Sequence, residues 1–389
     1  MPFDKYPAVR AGYVALTDCA PLIVAQELGF DRQAGIKLEP VLLKSWTAVR
    51  DGLAFEQLEC AQMPGALALA MHLGISGLRV PVRAPLMLGH GGNAITVSTK
   101  LFEEGVALLG GEHEGPRGES GVLVRLVAEQ RKLRGERRIR IGAVHAFSSH
   151  NYEVRAWLAH AGIDPDTDVE LIVVPRSKMV EALATGEIDG FCVGDPWGQL
   201  AVEAGIGHIV ATKADLYPYS PEKVLAFRDT WVQGHQDVAE ATVKAIAQGL
   251  EWAGQEENHE ELAFILSNKD YLNVPAPILM RTLSCKPQLA PGAGETLVPR
   301  YLEFGGDCLP TKAGALWLLA QMRRWGQAEA GFEKDLGTIF QPFTQVIGAD
   351  PEQDNSVNED PGRMAFDGVP FTASDIEAYR HNFAASGQS

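Results

Sequence analysis

The sequence predicts an α/β protein of two lobes with a ligand cleft between them, and a repeated unit is the main reason. Residues 48–70 and 178–204 each read as an amphipathic helix, a short turn, a brief apolar strand and the start of another helix. Each copy therefore implies a sheet edge beside a helix whose first backbone N–H groups are free. A length of 389 residues and a hydrophobic content of 46% are enough for two such lobes. A pocket between two lobes, floored by helix N-termini, suits a small anion.

Periodicity and turn signals predict the remaining elements. Apolar runs and alternation predict strands at residues 9–16, 36–43, 78–88, 94–97, 138–144 and 169–174. Helical spacing, in places behind a capping residue, predicts helices at residues 21–28, 46–53, 122–132 and 152–160. Asp18 and Pro21 supply the start of the first of these helices, and Ser45 is a possible cap of the second.

These elements divide the chain into three segments. Residues 1–97 are predicted to form the first part of lobe one, residues 98–215 form lobe two, and residues 216–389 return to lobe one. The crossing at residues 101–119 is rich in glycine and is expected to be loose. Strands at residues 209–211 and 223–227 are expected to carry the chain back.

The rest of the third segment is mostly helical. Helices are predicted at residues 236–253, 260–266, 275–282 and 311–325. We expect them to form a C-terminal extension that packs around lobe one. Residues 349–363 are polar, contain proline and carry few side chains that could enter a core, so a solvated loop without a ligand role is expected there.

Charge and cysteine usage narrow the function classes. The formal net charge is −16 at pH 7, which argues against direct nucleic-acid binding and means that any anion site must be built locally. The five cysteines are scattered without metal spacing, which favours reduced thiols. Asp4 and Pro7 stand where an export signal would need a basic start and an unbroken apolar core, and no stretch is long enough to span a membrane. The sequence therefore predicts a cytoplasmic protein with no membrane contact.

Enzyme signatures give no positive indication. The sequence has no Gly-rich phosphate loop between a strand and a helix, no paired-histidine zinc motif and no nucleophile elbow. Asp189 and Asp195 could form a carboxylate pair, but they flank a predicted buried strand, where turn and cap roles are commoner. No catalytic residue, metal site or cofactor is predicted.

Three residues are candidates for contact with a ligand, and each also has a structural interpretation. His150 follows Ser148 and Ser149 where a strand gives way to a helix, so its ring could add a donor beside free N–H groups; otherwise it is a neighbour of a helix cap. Lys223 lies where the chain re-enters lobe one and could compensate a buried anion, or it could be a solvated lysine beside Glu222. Trp46 begins a helix and could form a flat wall of the cleft or belong to the core.

The basic run at residues 131–140, RKLRGERRIR, is the one cationic stretch in an acidic chain. A solvated helix end is the expected role, and docking onto an acidic partner protein is the alternative.

Seven segments of the chain match a known family. The chain resembles, over nearly its whole length, the nitrate/nitrite/bicarbonate-binding proteins of ABC importers, which have a bilobal type II periplasmic-binding-protein-like fold. The matching strings are LTDCAPLIVAQELGF, SWTAVRDGL, GNAITVS, SSHNYEVRAWLAHAGIDPD, DGFCVGDPW, PEKVLAF and LAQMRRWGQ. By this resemblance the anion pocket would use Trp46, Asn93, His150 and Lys223, with Asn93 as a shorter amide where relatives often have Gln.

The resemblance also bears on the ligand and the partner. Bicarbonate-binding relatives tend to carry an acid in place of the lysine, so Lys223 favours nitrate or nitrite; an alignment shifted by one residue, onto Glu222, would reverse that argument. Without an export signal, the chain looks like the cytoplasmic NasS-type nitrate/nitrite sensors. That likeness implies an ANTAR-type RNA-binding antiterminator, NasT-like, as a partner that ligand binding releases.

Two alternatives remain open. One is the substrate-binding component of an ABC nitrate/nitrite importer, which would need an export signal. The other is an enzyme, because thiamine-pyrimidine synthases share the fold, but their clustered-cysteine iron site is not reproduced by five scattered cysteines.

Overall fold

Two five-stranded sheets organise the protein, and each forms the centre of one lobe. The computed structural model describes residues 6–111, 120–305, 309–343, 346, 361–362 and 365–379. The strands are β1 Ala8–Tyr13, β2 Lys37–Leu42, β3 Cys60–Pro64, β4 Val82–Met87, β5 His90–Gly91, β6 Asn93–Ser98, β7 Ile139–Ala143, β8 Val169–Val173, β9 Gly190–Gly194, β10 Gly207–Thr212, β11 Lys223–Arg228 and β12 Leu302–Glu303.

The helices surround these sheets on their faces and extend beyond them at the C-terminal end. They are α1 Ala20–Glu27, α2 Phe30–Gln33, α3 Trp46–Ala54, α4 Gly65–Leu73, α5 Thr99–Leu108, α6 Ser120–Arg134, α7 Ser149–His160, α8 Met179–Ala184, α9 Trp197–Glu203, α10 Lys213–Leu216, α11 Asp229–Gly234, α12 Gln236–Ala253, α13 His259–Ser267, α14 Ala276–Leu283 and α15 Lys312–Arg324. Within the described ranges, no helix is both long and apolar enough to cross a bilayer.

The sheet of lobe one has the strand order β2-β1-β3-β11-β4. Strand β1 runs parallel to β2 and β3, whereas β11 is antiparallel to both β3 and β4. Because β11 follows lobe two in the chain, lobe one is completed only after the chain has returned. The sheet of lobe two has the order β10-β6-β9-β7-β8, in which β6 is antiparallel to its neighbours and β7 is parallel to β8 and β9.

The predicted bilobal α/β class and the repeated unit are confirmed. The first copy is α3-β3-α4 and the second is α8-β9-α9. All five residues of β3 and of β9 are buried, as expected for strands in the middle of a sheet covered on both faces. The return strand at residues 223–227 is also found, as β11, but residues 209–211 belong to β10 and stay in lobe two. The strand expected at residues 94–97 in lobe one is β6, which belongs to lobe two because it pairs with β9 and β10.

The expectation of a loose crossing at residues 101–119 is wrong for its first half. Helix α5 occupies Thr99–Leu108, behind Ser98, whose hydroxyl accepts a hydrogen bond from the N–H of Leu101. Gly105 allows close packing here, because a Cβ at this position would lie 2.8 Å from the Cβ of Leu123 on α6. Residues 112–119 lie outside the described residues. The predicted solvated loop at residues 349–363 also lies outside them, apart from residues 361–362.

The C-terminal extension contacts both lobes, not lobe one alone. On lobe one, α12 packs along α1 and α15 packs against α4. On lobe two, the hydroxyl of Thr282 donates to a carboxylate oxygen of Asp195 at 2.8 Å, and Arg281 forms an ion pair with Glu203. The ring of Trp317 on α15 meets that of Tyr217 edge to face, with centroids 5.2 Å apart. The extension therefore helps to set the position of one lobe against the other.

The contact between α1 and α12 depends on a glycine. A Cβ at Gly249 would lie 2.3 Å from the carbonyl oxygen of Pro21 and 3.2 Å from the backbone nitrogen of Ala25. Both are backbone atoms, so relief requires the two helices to move apart. We expect Gly249→Ala to lower the free energy of unfolding by about 1–3 kcal/mol, the usual range for overpacking.

Urea unfolding followed by circular dichroism checks this, with Gly234→Ala as the matched control, since a Cβ there has no described neighbour within 4 Å. Equal midpoints for the two variants would contradict the assigned contact.

Candidate functional site

The four predicted ligand contacts come together between the lobes. Trp46 begins α3 and Lys223 begins β11 in lobe one, while Asn93 begins β6 and His150 is the second residue of α7 in lobe two. All four side chains are buried, with at most 2% of their surface exposed. The Nζ atom of Lys223 lies 5.7 Å from the centre of the Trp46 ring, a cation–π contact. Their roles in ligand contact remain predictions.

Local capping explains why two of these residues lie at helix starts. The Oγ atom of Ser45 accepts a hydrogen bond from the N–H of Ala48, and the Oγ atom of Ser148 accepts one from the N–H of Asn151. Both serines have extended backbone angles, as N-cap residues should. Trp46 and His150 are therefore placed beside helix N-termini, where the dipole favours negative charge.

A chain of five alternating charges runs through the site and crosses from one lobe to the other. In lobe one, Lys223 Nζ lies 3.1 Å from a carboxylate oxygen of Asp18 and 2.6 Å from one of Glu222. Across the cleft, Lys213 Nζ lies 3.3 Å from Glu222 and 3.1 Å from Glu153. We call these five residues the charge chain. Glu222 is its centre, and Asp18 and Glu153 are its ends.

Amide side chains and a hydroxyl complete the contacts of the charge chain. Asn93 Nδ2 donates to Glu222 at 2.7 Å and approaches both oxygens of Glu153 at 3.2 Å. Gln62 donates to Asp18, and Lys213 also contacts the hydroxyl of Ser220 at 2.6 Å. Asn93 thus holds the carboxylates of Glu222 and Glu153 together across the lobes, and its amide donor group is already engaged.

Burial sets the protonation tendencies of these groups. No member of the charge chain is more than 4% exposed. Burial raises the pKa values of Asp18 and Glu153, and their lysine neighbours offset only part of that rise. Burial alone would also raise the pKa of Glu222, but its two lysine contacts outweigh it, and the pKa falls below its ordinary value. The pKa of Lys223 is raised, because Asp18 and Glu222 outweigh the cost of burying its charge.

His150 is neutral at pH 7 and has spare hydrogen-bonding capacity. Burial lowers its pKa to about 3, and the positive charge of Lys223 adds to this effect. Neither ring nitrogen has a hydrogen-bond partner among the described residues. A neutral imidazole offers one donor and one acceptor. His150 can therefore donate one neutral hydrogen bond to a ligand.

Sequence reasoning missed Asp18, Glu153 and Lys213 as parts of the site. A local signal existed for Glu153, which lies three residues after His150 and so shares its face of α7. Lys213 follows Thr212, the cap of α10, at the carboxyl end of β10. Asp18 lies in the short 3-10 helix Thr17–Cys19 that follows β1. Only the meeting of the two lobes shows that the three belong together.

The two aspartates considered as a carboxylate pair lie at opposite ends of β9 with separate partners. Asp189 accepts hydrogen bonds from Arg131, Arg137 and the N–H of Arg140. Burial alone would raise the pKa of Asp189, but these donors lower it. Asp195 bonds to Thr282, and burial raises its pKa to about 6.

Within the described residues, no group of three or more His, Cys, Asp or Glu side chains is placed to hold a metal ion. Cys19, Cys60 and Cys192 are free and buried, Cys285 is free and partly exposed, and Cys308 lies outside those residues. Burial raises the pKa values of Cys19, Cys60 and Cys192, so these thiols stay protonated.

The comparisons with known proteins agree with this architecture. A family model described as the NMT1-like family matches residues 4–267, well over half of the chain. The protein belongs to the NMT1-like family. The nitrate/nitrite binding protein NrtA of Nostoc sp. is 30% identical to this NMT1-like chain over 322 residues. The alignment covers 82% of this chain and 70% of NrtA.

A second relative is longer. The bicarbonate transport ATP-binding protein CmpC of Synechococcus elongatus is 32% identical over 383 residues, which cover 95% of this chain but 54% of CmpC. The NMT1-like chain thus spans about half the length of this relative.

Among solved structures, the periplasmic nitrate-binding protein NrtA from Synechocystis PCC 6803 superposes with a TM-score of 0.85. The alignment covers 97% of this chain and 98% of that one at 24% identity. At this identity the match shows the fold, which is the bilobal periplasmic-binding-protein-like architecture. NrtA of Nostoc sp. and the solved NrtA of Synechocystis are both named as binding proteins.

The opposite environments of Asp189 and Asp195 predict opposite effects of pH on stability. Because the folded-state pKa of Asp195 is raised to about 6, its stabilising contribution is full below about pH 4 and is lost as the pH rises through 6. We expect Asp195→Asn to raise the free energy of unfolding by on the order of 1–3 kcal/mol at pH 8 and by much less at pH 4.

Asp189→Asn is the matched control at the other end of β9. The pKa of Asp189 is lowered, so its contribution is present above its ordinary pKa and is lost in acid. This variant should be destabilised at pH 8. Urea unfolding at both pH values checks the pair, and the same sign of change at pH 8 in the two variants would refute the assignment.

Proposed function

We propose that this protein binds nitrate or nitrite between its lobes, against Trp46, His150 and Lys223. The observation that supports this most is a buried ammonium group, Lys223 Nζ, held against the face of the Trp46 ring. A planar oxyanion can lie along the ring, accept from Lys223 and accept a further hydrogen bond from His150. Charge-assisted hydrogen bonds contribute roughly 1.5–3 kcal/mol each, so a few of them could support micromolar affinity after ordering costs.

Bicarbonate is the second candidate, because acceptor groups share the site. Glu222 is as buried as Lys223 and contacts it directly. The sequence argument takes a lysine in the pocket to favour nitrate or nitrite and an acid to favour bicarbonate. Because both residues are present, that argument does not select an anion. The Oδ1 atom of Asn93 is buried and has no described partner. Bicarbonate carries an O–H group that could donate to such an acceptor, which nitrate cannot do. The relative CmpC is named for bicarbonate transport.

Binding is proposed to act through lobe closure. Glu222 already joins the lobes through Lys213 and Asn93, and Ser149 donates to the carbonyl oxygen of Pro221 at 3.4 Å. An anion that touches both lobes binds the closed arrangement better than an open one and shifts the population toward it. A partner that prefers the open arrangement is then released by linkage.

In this proposal the protein is a cytoplasmic nitrate/nitrite sensor, and its partner is an ANTAR-type antiterminator of nitrate assimilation genes. The support is the resemblance described above. The alternative is the substrate-binding component of an ABC nitrate/nitrite importer, which the same resemblance implies; the NrtA relative is named a nitrate/nitrite binding protein.

Calorimetric titration with nitrate, nitrite and bicarbonate tests the ligand assignment. We expect micromolar binding of nitrate or nitrite, and weaker binding of bicarbonate. Binding of bicarbonate alone would favour the second candidate. Absence of heat with all three anions, checked by equilibrium dialysis, would refute the proposed function.

The sensor and importer roles are separated by the partner. Purified protein should retain an immobilised ANTAR-type antiterminator without ligand and release it when nitrate is added. If the two proteins do not associate under either condition, the sensor role is wrong. Detection of the native protein outside the cytoplasm would favour the importer role.

The contribution of His150 can be measured by His150→Phe, which keeps a ring in the buried position but removes both nitrogens. The loss of one hydrogen bond to a charged acceptor should weaken nitrate binding roughly tenfold or more. His160→Phe, at the exposed end of the same helix, is the control and should leave the affinity unchanged. An unchanged dissociation constant in His150→Phe would remove His150 from the ligand contacts.

A further inference from the structure

We propose that the anion enters this site together with one proton, which Asp18 takes up, so that the protein responds to anion concentration and pH together. This inference rests on the proposed function, because it concerns the same site. It assigns to Asp18 a role in ligand contact that neither the resemblance nor the four predicted contacts include.

Binding of an anion changes the charge balance of the buried site. The charge chain has two ammonium groups and three carboxylates, so its formal charge is −1 when all are ionised. A monoanion bound there without a proton would change the formal charge of the site to −2, in a region that is almost fully buried. Extra unpaired charge in such a place is strongly unfavourable. One proton from solvent, bound with the anion, leaves the formal charge at −1.

The three carboxyl groups of the charge chain differ in how easily they can be protonated. Glu222 has two lysine contacts and an amide contact, so it is the last to be protonated. Each end of the charge chain has a single lysine contact. Glu153 lies in the lobe-two half and keeps Lys213 and Asn93 whether or not Lys223 changes partner. Among the described residues, Asp18 has Lys223 as its one cationic partner, and its side chain also accepts from the neutral amide of Gln62.

An entering anion competes with Asp18 for Lys223. An anion lying against Trp46 must accept from Lys223 Nζ, which now contacts Glu222 at 2.6 Å and Asp18 at 3.1 Å. The longer contact, to the carboxylate with fewer other donors, is the one that an anion displaces. Asp18 then loses the contact with Lys223 and binds a proton. Its new O–H group can donate to the anion that displaced it.

The position of Gly194 supports this geometry. Gly194 of β9 has no side chain, and a Cβ built there would lie 3.2 Å from Leu16 Cδ1 and 3.6 Å from both Asp18 Oδ2 and Asn93 Oδ1. Two acceptor atoms, one from each lobe, therefore lie close to the same point. Nitrate has acceptors only, so it can bind beside them only if one group carries a proton. Asp18 can do so, whereas the Asn93 carbonyl cannot.

The other groups around Asp18 do not supply this proton. Strand β3 contributes the uncharged Gln62, and β9 contributes Gly194. Lys223 and the residue before it, Glu222, are the ionised neighbours. On its own segment Asp18 adjoins Thr17 and the protonated thiol of Cys19. Burial already raises the pKa of Asp18, which agrees with a carboxyl that takes up a proton once Lys223 is withdrawn.

Calorimetric titration of the full-length protein with nitrate in phosphate and in Tris at equal pH measures proton uptake. Nitrate does not titrate between pH 5 and 9, so any proton taken up binds to the protein. We expect about one proton per nitrate in part of this range, and an apparent dissociation constant that rises about tenfold per pH unit there.

Asp18→Asn removes the proton site but still accepts from Gln62. In this variant we expect no proton uptake, tighter nitrate binding at pH 9 and an affinity independent of pH. Glu153→Gln is the matched control, because it makes the same charge change at the other end of the charge chain. Proton uptake should persist there but move to lower pH, because Asp18 still loses its contact with Lys223 while one neighbouring negative charge is gone. Thermal unfolding of both variants verifies that they are folded.

The outcomes separate this inference from the proposed function. No binding of nitrate, nitrite or bicarbonate at any pH refutes the proposed function. Nitrate binding with no proton uptake between pH 5 and 9 overturns the inference and leaves the proposed function standing. Uptake that persists in Asp18→Asn, or that disappears only in Glu153→Gln, overturns the assignment to Asp18. Binding of bicarbonate without nitrate also overturns it, because the ligand's own O–H would then meet the acceptors.

Discussion

The alternating contacts from Asp18 through Lys223, Glu222 and Lys213 to Glu153 are the interaction on which the rest of the site depends. Both lysines are buried, and neither could be held there without carboxylates on each side. Because Glu222 contacts a lysine from each lobe, the same charges that would attract an anion also hold the lobes together. An entering anion must therefore compete with carboxylates that already occupy the ammonium groups, so binding and lobe contact are coupled.

The C-terminal extension strengthens the coupling through direct contacts with lobe two. The hydroxyl of Tyr152, on the helix that carries His150, donates to Gln327 just beyond α15, at 2.7 Å. Gln327 in turn donates to the carbonyl oxygen of Ala146 at 3.0 Å. Thr282 holds Asp195 from the other side. Any opening of the cleft must break or stretch some of these contacts, so the extension resists opening and offers a route by which a change in the cleft could reach the surface.

Much of the fold and part of the site could be predicted from local signals. Helix α12 has the predicted bounds, Gln236–Ala253, because its apolar spacing is strong. Trp46 and His150 could be placed at helix starts because Ser45 and Ser148 are local caps. Helix α5 was missed because Gly105 suggested looseness, whereas it permits contact with α6. The charge chain could not be predicted, because its members are distant in sequence and only the packing of the two lobes brings them together.

The family and the fold do not specify which anion binds or where it lies. The central claim is that nitrate or nitrite binds against Trp46. The most direct test is a crystal structure of the protein grown with nitrate, compared with one grown without it. We expect a planar ion on the face of Trp46, within hydrogen-bond distance of Lys223 Nζ and a nitrogen of His150, with the contact between Asp18 and Lys223 broken. An intact charge chain with no ion beside Trp46, in protein that binds nitrate in solution, would contradict it.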